Sequence, residues 1–443
     1  MPRLDCKPLS RELKSIFGDG WVRRHAEETG AWRRQRKVDI VAFFWSVVLG
    51  FAVGRVRTLA ELRRAYERDA AMCIEESSFY ARFNAGFAAL LKRAVSSALG
   101  GLADTGGKLK GRLAAFQDLL MFDATVVRLH ELLQGAYAAC RTNHTKAAAK
   151  LHVVMSLLSA TPTKVKLTSE RTNDRSPWRR IGKWVEGRLL LFDLGYLSYQ
   201  LFDRIERNGG YFISRLKTTS NPLIVGVNRR WRGQARDLVG LKLQDALAGL
   251  KRDIVDVTVE VRFRRRSYRG KASMGTARFR VVAVRNDQTG RYHVYMTNVA
   301  AQVLDGGQIA ETYRLRWQIE LLFKQLRTHY RLDQLPSRKR VVVEALLYAA
   351  ILALIVARHL LSALRRHLPD DRHIPDLRWA AVFAGIAADL LRELIPRRRR
   401  TTPSSVWALL ADQARDPNPG RPAAPAQHLD YAADNGSNGR CVI

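Results

Sequence analysis

The hydrophobic pattern of this chain changes period along its length. From residue 1 to about 112, apolar positions recur at helical spacing among many basic ones. Thr58 and Ser77 or Ser78 are candidate helix caps there, and the short helices with Arg, Tyr and Asn near their starts suit either a DNA-reading module or a basic helical bundle. From Leu113 the apolar residues come in short β-branched runs. LLMFDATVVRL, AKLHVVMSLL and TKVKLTSE predict three strands in a meander, and RLLLFDLGYLSYQLFDRIERNGGYFISRLK predicts strand, turn, amphipathic helix and strand. IVDVTVEVRFRRRSY and TARFRVVAV then alternate as half-exposed strands around a basic loop, and YHVYMTNV returns to a buried strand. Helices follow to Ile395, and a Pro-, Gly- and Asn-rich tail predicts disorder from about 412.

The expected class is α/β. The expected domains are a helical DNA-binding part over 1–112, a core in two parts over 113–222 and 291–362, a β-rich insertion over 223–290, C-terminal helices over 363–411, and the tail over 412–443.

Within the second core part, residues 313–327 read YRLRWQIELLFKQLR. On one continuous helix, Tyr313, Arg316, Glu320, Lys324 and Arg327 share a face, and Leu315, Ile319, Leu322, Phe323 and Leu326 occupy the other. Glu320 and Lys324 alone would be an ordinary i,i+4 surface pair. One carboxylate inside a column of cations and a phenol also suits a site holding a metal ion and a phosphate.

Charge favours the second reading. Lys and Arg number 75 against 41 Asp and Glu, a net charge of +34. Such an excess repels itself unless an anionic partner relieves it, and nucleic acid is the default partner, ahead of an acidic membrane surface. The N-terminus lacks the apolar core of a signal peptide, and Cys6, Cys73, Cys140 and Cys441 are too scattered for a zinc site or a disulfide framework, which fits a cytoplasmic protein. The apolar run from Ala345 to Ala357, between Glu344 and Arg358, is too short to span a bilayer and reads as a buried core helix, so no membrane partner is expected.

Two further acids stand where acids are costly. Asp123 lies at the centre of an apolar strand, and Asp193 lies where a buried strand ends at a glycine turn. Asp203, in the helix that follows, reads as an exposed helix residue. With Glu320, Asp123 and Asp193 are hard oxygen ligands for a two-metal phosphodiester site.

The succession FDAT, FDLGY, TNV and YRLRWQIELLFKQLR resembles the IS4 family of insertion-sequence transposases, over about residues 113 to 360. Their hallmark is Tyr, two residues, Arg, three residues, Glu, six residues, Lys. Here it falls on Tyr313, Arg316 and Glu320, with Arg327 in the final position in place of Lys and Lys324 one turn earlier. The resemblance implies an RNase H-like core with Asp123, Asp193 and Glu320 holding two Mg²⁺ ions, Mn²⁺ substituting. Tyr313, Arg316, Lys324, Arg327 and Arg215 would grip DNA. It also implies double-stranded DNA ends and target DNA as partners, a homodimer on DNA, cut-and-paste chemistry and a nucleoid-associated location. Tyr292 and Trp231 are candidates for stacking on a flipped base, though each reads more simply as an ordinary aromatic. Lys150 and His152 sit where relatives carry a basic strand, His152 as a packed histidine. A catalytically silent DNA-binding relative and an RNase H-fold structure-specific nuclease are the alternatives.

Overall fold

The computed structural model describes residues 5–395 apart from the stretches 33–37, 55–57, 71–73, 103–107, 141–144, 230–236, 266–272 and 367–373. Trp231, Cys73, Cys441 and the tail from 412 lie outside the described residues.

Six helices come first: α1 (Lys7–Ile16), α2 (Asp19–Glu28), α3 (Ile40–Trp45, continued by a π-helical turn Ser46–Phe51), α4 (Leu59–Ala70), α5 (Glu76–Tyr80) and α6 (Ala85–Leu102). Local chemistry sets several starts. The Asp39 carboxylate accepts from the Val41 and Ala42 N–H groups, the Thr58 hydroxyl from Glu61 N–H, and the Asn84 amide oxygen from Phe87 N–H. Ser77 and Ser78 do not cap anything: α5 begins at Glu76, so both lie inside it.

A sheet follows, built from β1 (Leu119–Leu129), β2 (Ala147–Ser156), β3 (Pro162–Ser169), β4 (Leu189–Phe192), β5 (Tyr211–Arg215), β6 (Leu223–Val227), β7 (Ile254–Arg264), β8 (Met274–Arg285) and β9 (Tyr292–Thr297). Helix α7 (Tyr199–Arg207) joins β4 to β5, and α8 (Leu243–Ala248) joins β6 to β7. The nine strands run β3-β2-β1-β4-β5-β9-β8-β7-β6 in one sheet. β1, β2 and β3 pair antiparallel, β4 lies parallel to β1, and β5 lies parallel to β4. The strands expected as an insertion extend this sheet through β9.

Strand side chains alternate between faces, and here both faces are covered. Leu119, Met121, Val127 and Leu129 of β1 join one core with α3 and α6 and with three later helices, α10 (Trp317–His329), α11 (Arg340–Arg365) and α12 (Asp376–Leu394). Leu120 and Phe122 join the other core, with α7 and α8. Asp123 therefore shares the α10 side of the sheet.

α11 contains the run expected to be a core helix. It is the one described helix long and apolar enough to cross a membrane, and 78% of its most apolar stretch is buried inside the protein. Trp379 Nε1 of α12 donates to the Ala357 carbonyl, and buried Arg358 donates to Gln325 Oε1 of α10 at 2.8 Å while pairing with Asp376 of α12. This polar knot fixes the back of α10, so its other face is held toward the sheet.

The entrance to the signature segment is fixed as firmly. Asp305 and Gln308 form a reciprocal capping box at the start of α9 (Gly306–Arg314). Just before it, Arg280 of β8 is buried against Asp256 of β7, with Nη2 to Oδ2 at 2.6 Å, and its Nη1 donates to the Val299 and Leu304 carbonyls. Removing one member of such a pair leaves an uncompensated buried charge. Arg280→Ala is expected to lower the unfolding free energy by about 3–5 kcal/mol, read from urea denaturation, and to loosen α9 with it.

Candidate active site

The segment 313–327 is not one helix. α9 ends at Arg314 and α10 begins at Trp317, with Leu315 and Arg316 in a tighter junction whose N–H groups bond three residues back, to Thr312 and Tyr313. The one-face reading holds only for Arg316, Glu320, Lys324 and Arg327. Tyr313 belongs to the preceding helix and is buried.

Asp123 projects from the middle of β1. Asp193 follows the last residue of β4 and starts the 3₁₀ turn Leu194–Tyr196, and its side chain caps no backbone N–H in that turn, which leaves its carboxylate free to face elsewhere. Glu320 comes from the first turn of α10. The three meet with Thr125, Arg316, Lys324 and Arg327 around one cleft of about 420 Å³. The Arg316 guanidinium stands between two of the acids: Nη1 donates to Asp123 Oδ2 at 3.1 Å, and Nη2 donates to Glu320 Oε1. The Tyr313 hydroxyl reaches Asp193 Oδ1 at 3.5 Å.

Lys324 is exposed on the cleft wall and has no ion-pair partner among the described residues. Arg327 also lines the cleft, but its Nη2 donates to the Thr125 hydroxyl and, at 3.3 Å, to the Val126 carbonyl, which ties α10 to β1. Arg215 is not on this wall. It ends β5, contacts His293 Nδ1 at 3.3 Å and lies electrostatically close to buried Tyr313. Tyr292 is held by its hydroxyl, which donates to the Arg252 carbonyl at 2.6 Å. Asp203 is half-buried rather than exposed and pairs with Arg207 in the next turn of α7. His152 is fully buried, bonded to Thr168 Oγ1 at 2.8 Å, and burial lowers its pKa to about 4, so it is a packed neutral histidine.

One acid near the site was not anticipated. Asp174 accepts from Lys150 Nζ at 3.0 Å and packs on the turn after Asp193, where a Cβ on Gly195 would lie 2.9 Å from Asp174 Oδ2. A side chain at position 195 would push the Asp174 carboxylate aside, and Lys150 holds that carboxylate in place. Asp174 sits in an irregular loop with no periodicity to mark it. The basic position of Lys150 was the available signal.

The family described as Transposase DDE domain matches residues 114–356. The chain belongs to that family. Among curated relatives, the transposase for insertion sequence element IS231F of Bacillus thuringiensis subsp. israelensis is 22% identical over 281 residues, covering 58% of this chain and 59% of that protein. The transposase for IS1151 of Clostridium perfringens is 20% identical over 401 residues, covering 84% and 85%. These relatives bear out the resemblance to the IS4 type. The match to IS231F leaves about two fifths of that protein's length unaccounted for. Among solved structures, a piggyBac transposase synaptic complex with hairpin DNA aligns over 94% of this chain and 87% of that one, with TM-score 0.46 and 10% identity.

The electrostatics of the cleft give a pH signature. Burial pushes the Asp123 carboxyl up to about 6, Asp193 and Glu320 add to the rise, and the Ala124 N–H and Arg316 oppose it. Its folded value lies above the unfolded 3.8, so the folded state holds this proton more tightly and loses stability as pH climbs from about 4 through 6. In metal-free buffer, Asp123→Asn is expected to be more stable than the intact protein by about 1–2 kcal/mol near pH 8. That difference should disappear near pH 4 in paired thermal melts.

Proposed function

We propose that this transposase-family chain cuts its DNA element from flanking DNA and joins the freed ends to a target. The observation that carries the reading is the convergence of Asp123, Asp193 and Glu320, from three separate elements, into one cleft with Arg316, Lys324 and Arg327. The strand order β3-β2-β1-β4-β5, antiparallel then parallel to β1, supports an RNase H-like core.

The donor set is the one hard divalent cations require: carboxylate oxygens, no sulfur and no imidazole. Among the described residues no three such side chains stand close enough to clamp one ion together, and Arg316 separates Asp123 from Glu320. The upward shift of Asp123 nevertheless marks negative charge that burial leaves under-compensated, as a cation site needs. By ligand chemistry Asp123, Asp193 and Glu320 would hold two Mg²⁺ ions, with Mn²⁺ as a substitute, once Arg316 turns from the acids to a phosphate. Bound metal would activate the attacking oxygen and neutralise the leaving one.

The protein's own groups do the positioning. Lys324 offers a point charge to a phosphate oxygen, and Arg327 offers a fork while anchoring α10. Arg316, at the mouth between two acids, exchanges a carboxylate for a phosphate when DNA enters. Tyr313 orients Asp193, and Arg215 supports Tyr313 from behind while gripping DNA beyond the cleft. Water attacks first and leaves a 3′-OH; that hydroxyl attacks the opposite strand, closing a hairpin and releasing the flanking DNA. A second water opens the hairpin, and the regenerated 3′-OH attacks a phosphodiester of the target, whose 3′-oxygen leaves. Excision through a hairpin and a homodimer assembled on two ends complete the proposal.

The test is excision of a marked element flanked by its native ends, comparing the intact protein with Glu320→Gln. Loss of a metal-ligating carboxylate removes several kcal/mol of transition-state stabilisation, so excision should fall by about a thousandfold or more, with end binding retained. If the intact protein binds ends but never cuts them, it is a DNA-binding relative and the catalytic reading fails.

A further inference from the structure

A larger cleft, about 1160 Å³, runs along the free edge of β3 and shares no lining residue with the carboxylate cleft. It lies between α6, β3 and the segment leading into β4, and runs from Gln117 and Asp118 before β1 along β3 to Thr168. Five cations from four different parts of the chain line it: Lys92 on α6, Lys108 after it, Lys164 and Lys166 on β3, and Arg188 before β4. The one acid on its wall, Asp118, is engaged with the Leu119 and Leu158 N–H groups. No described acidic side chain pairs with any of the four lysines, although acids elsewhere pair with Lys150, Arg128 and Arg280.

The lysines on β3 are also held in place. Lys164 Nζ sits 4.6 Å from the centre of the Trp184 ring, and Lys166 Nζ sits 4.8 Å from that of Trp178 while donating to the Pro177 carbonyl. We propose that this cleft is a second DNA site, taking the phosphate backbone of a duplex segment outside the one being cut. Lysines without acidic partners, two of them held beside aromatic rings, together with hydroxyls such as Ser159, Thr163 and Ser176, are the chemistry that grips phosphodiesters without reading sequence. Burial lowers the pKa of both β3 lysines, and Lys166 and Arg188 lower that of Lys164 further, a repulsion that a polyanion relieves.

Lysines on an edge strand also discourage strand pairing between molecules. That role needs side chains reaching past the edge and no help from other elements. Here Lys164 and Lys166 fold back over indole rings, and Lys92, Lys108 and Arg188 converge from elsewhere.

The inference rests on DNA being the partner, and its test separates the two. Binding of a random-sequence duplex is followed by fluorescence anisotropy across a salt series. The variants are Lys164→Gln with Lys166→Gln, exposed Lys92→Gln with Lys108→Gln, and a charge-matched control, Lys7→Gln with Lys242→Gln. Each lost lysine–phosphate contact lowers the salt slope by about 1. The β3 pair should therefore lose about 2 from the slope and about tenfold in affinity near 0.1 M salt, the Lys92/Lys108 pair should weaken binding at least as much, and the control should change less than half as much. Equal slopes for all variants overturn the proposal. So does self-association of the β3 pair in sedimentation with DNA binding intact, which identifies an edge guard. A polyglutamate peptide bound through these lysines while duplex is not would identify a protein partner and also overturn it. If the intact protein binds no DNA at all, the proposed function itself has failed.

Discussion

Three carboxylates cannot share a half-buried cleft without a counter-charge, and much of the architecture answers that constraint. Each acid arrives on a different element: the middle of β1, the end of β4 and the first turn of α10. Packing holds those elements together before any charge is balanced. α10 is tied behind by Gln325 and Arg358, in front by Arg327 on β1, and at its start by the capped, Arg280-braced entry through α9. The acids are brought near one another by burial elsewhere, and Arg316 supplies the local compensation. The raised Asp123 carboxyl shows that the compensation is incomplete.

Much of this was legible in the sequence because the signals are local. The β-branched runs gave the meander and the parallel pair, and an acid inside such a run is costly enough to mark itself. Asp123, Asp193 and Glu320 could be singled out by position and resemblance, and all three line one cleft. The failures have physical causes too. Helical periodicity cannot see a two-residue tightening, so Tyr313 was placed on the wrong helix. Ser77 and Ser78 resemble caps, but α5 starts one residue earlier, at Glu76. Alternation on β7 and β8 predicted strands yet carried no information about which edge they would extend, and pairing with β9 through β8 is a tertiary outcome. Asp174 was missed because its importance is a contact with Gly195, far away in sequence.

The cations divide into two populations. Arg280 and Arg358 are buried and paired, and they work as struts between elements. Lys324 on the carboxylate cleft and the lysines on the β3 edge are presented without acidic partners among the described residues. A net charge of +34 therefore is not spread as a uniform coat. Part of it is structural, and part is concentrated on the two clefts, where the proposed phosphate backbone would neutralise it.

The departure at Arg327 fits this division. A lysine there would present one compact ammonium, whose three donors all radiate from a single nitrogen. The guanidinium has separate donors in a rigid fork. Here Nη2 alone makes both contacts to β1, with the Thr125 hydroxyl and the Val126 carbonyl, two and three residues past Asp123. The rest of the group still lines the cleft. The substitution keeps a cation facing the site and adds a clasp between the helix that carries Glu320 and the strand that carries Asp123. Two of the three acids are thereby held in register by a residue that a lysine could replace in charge but not in geometry.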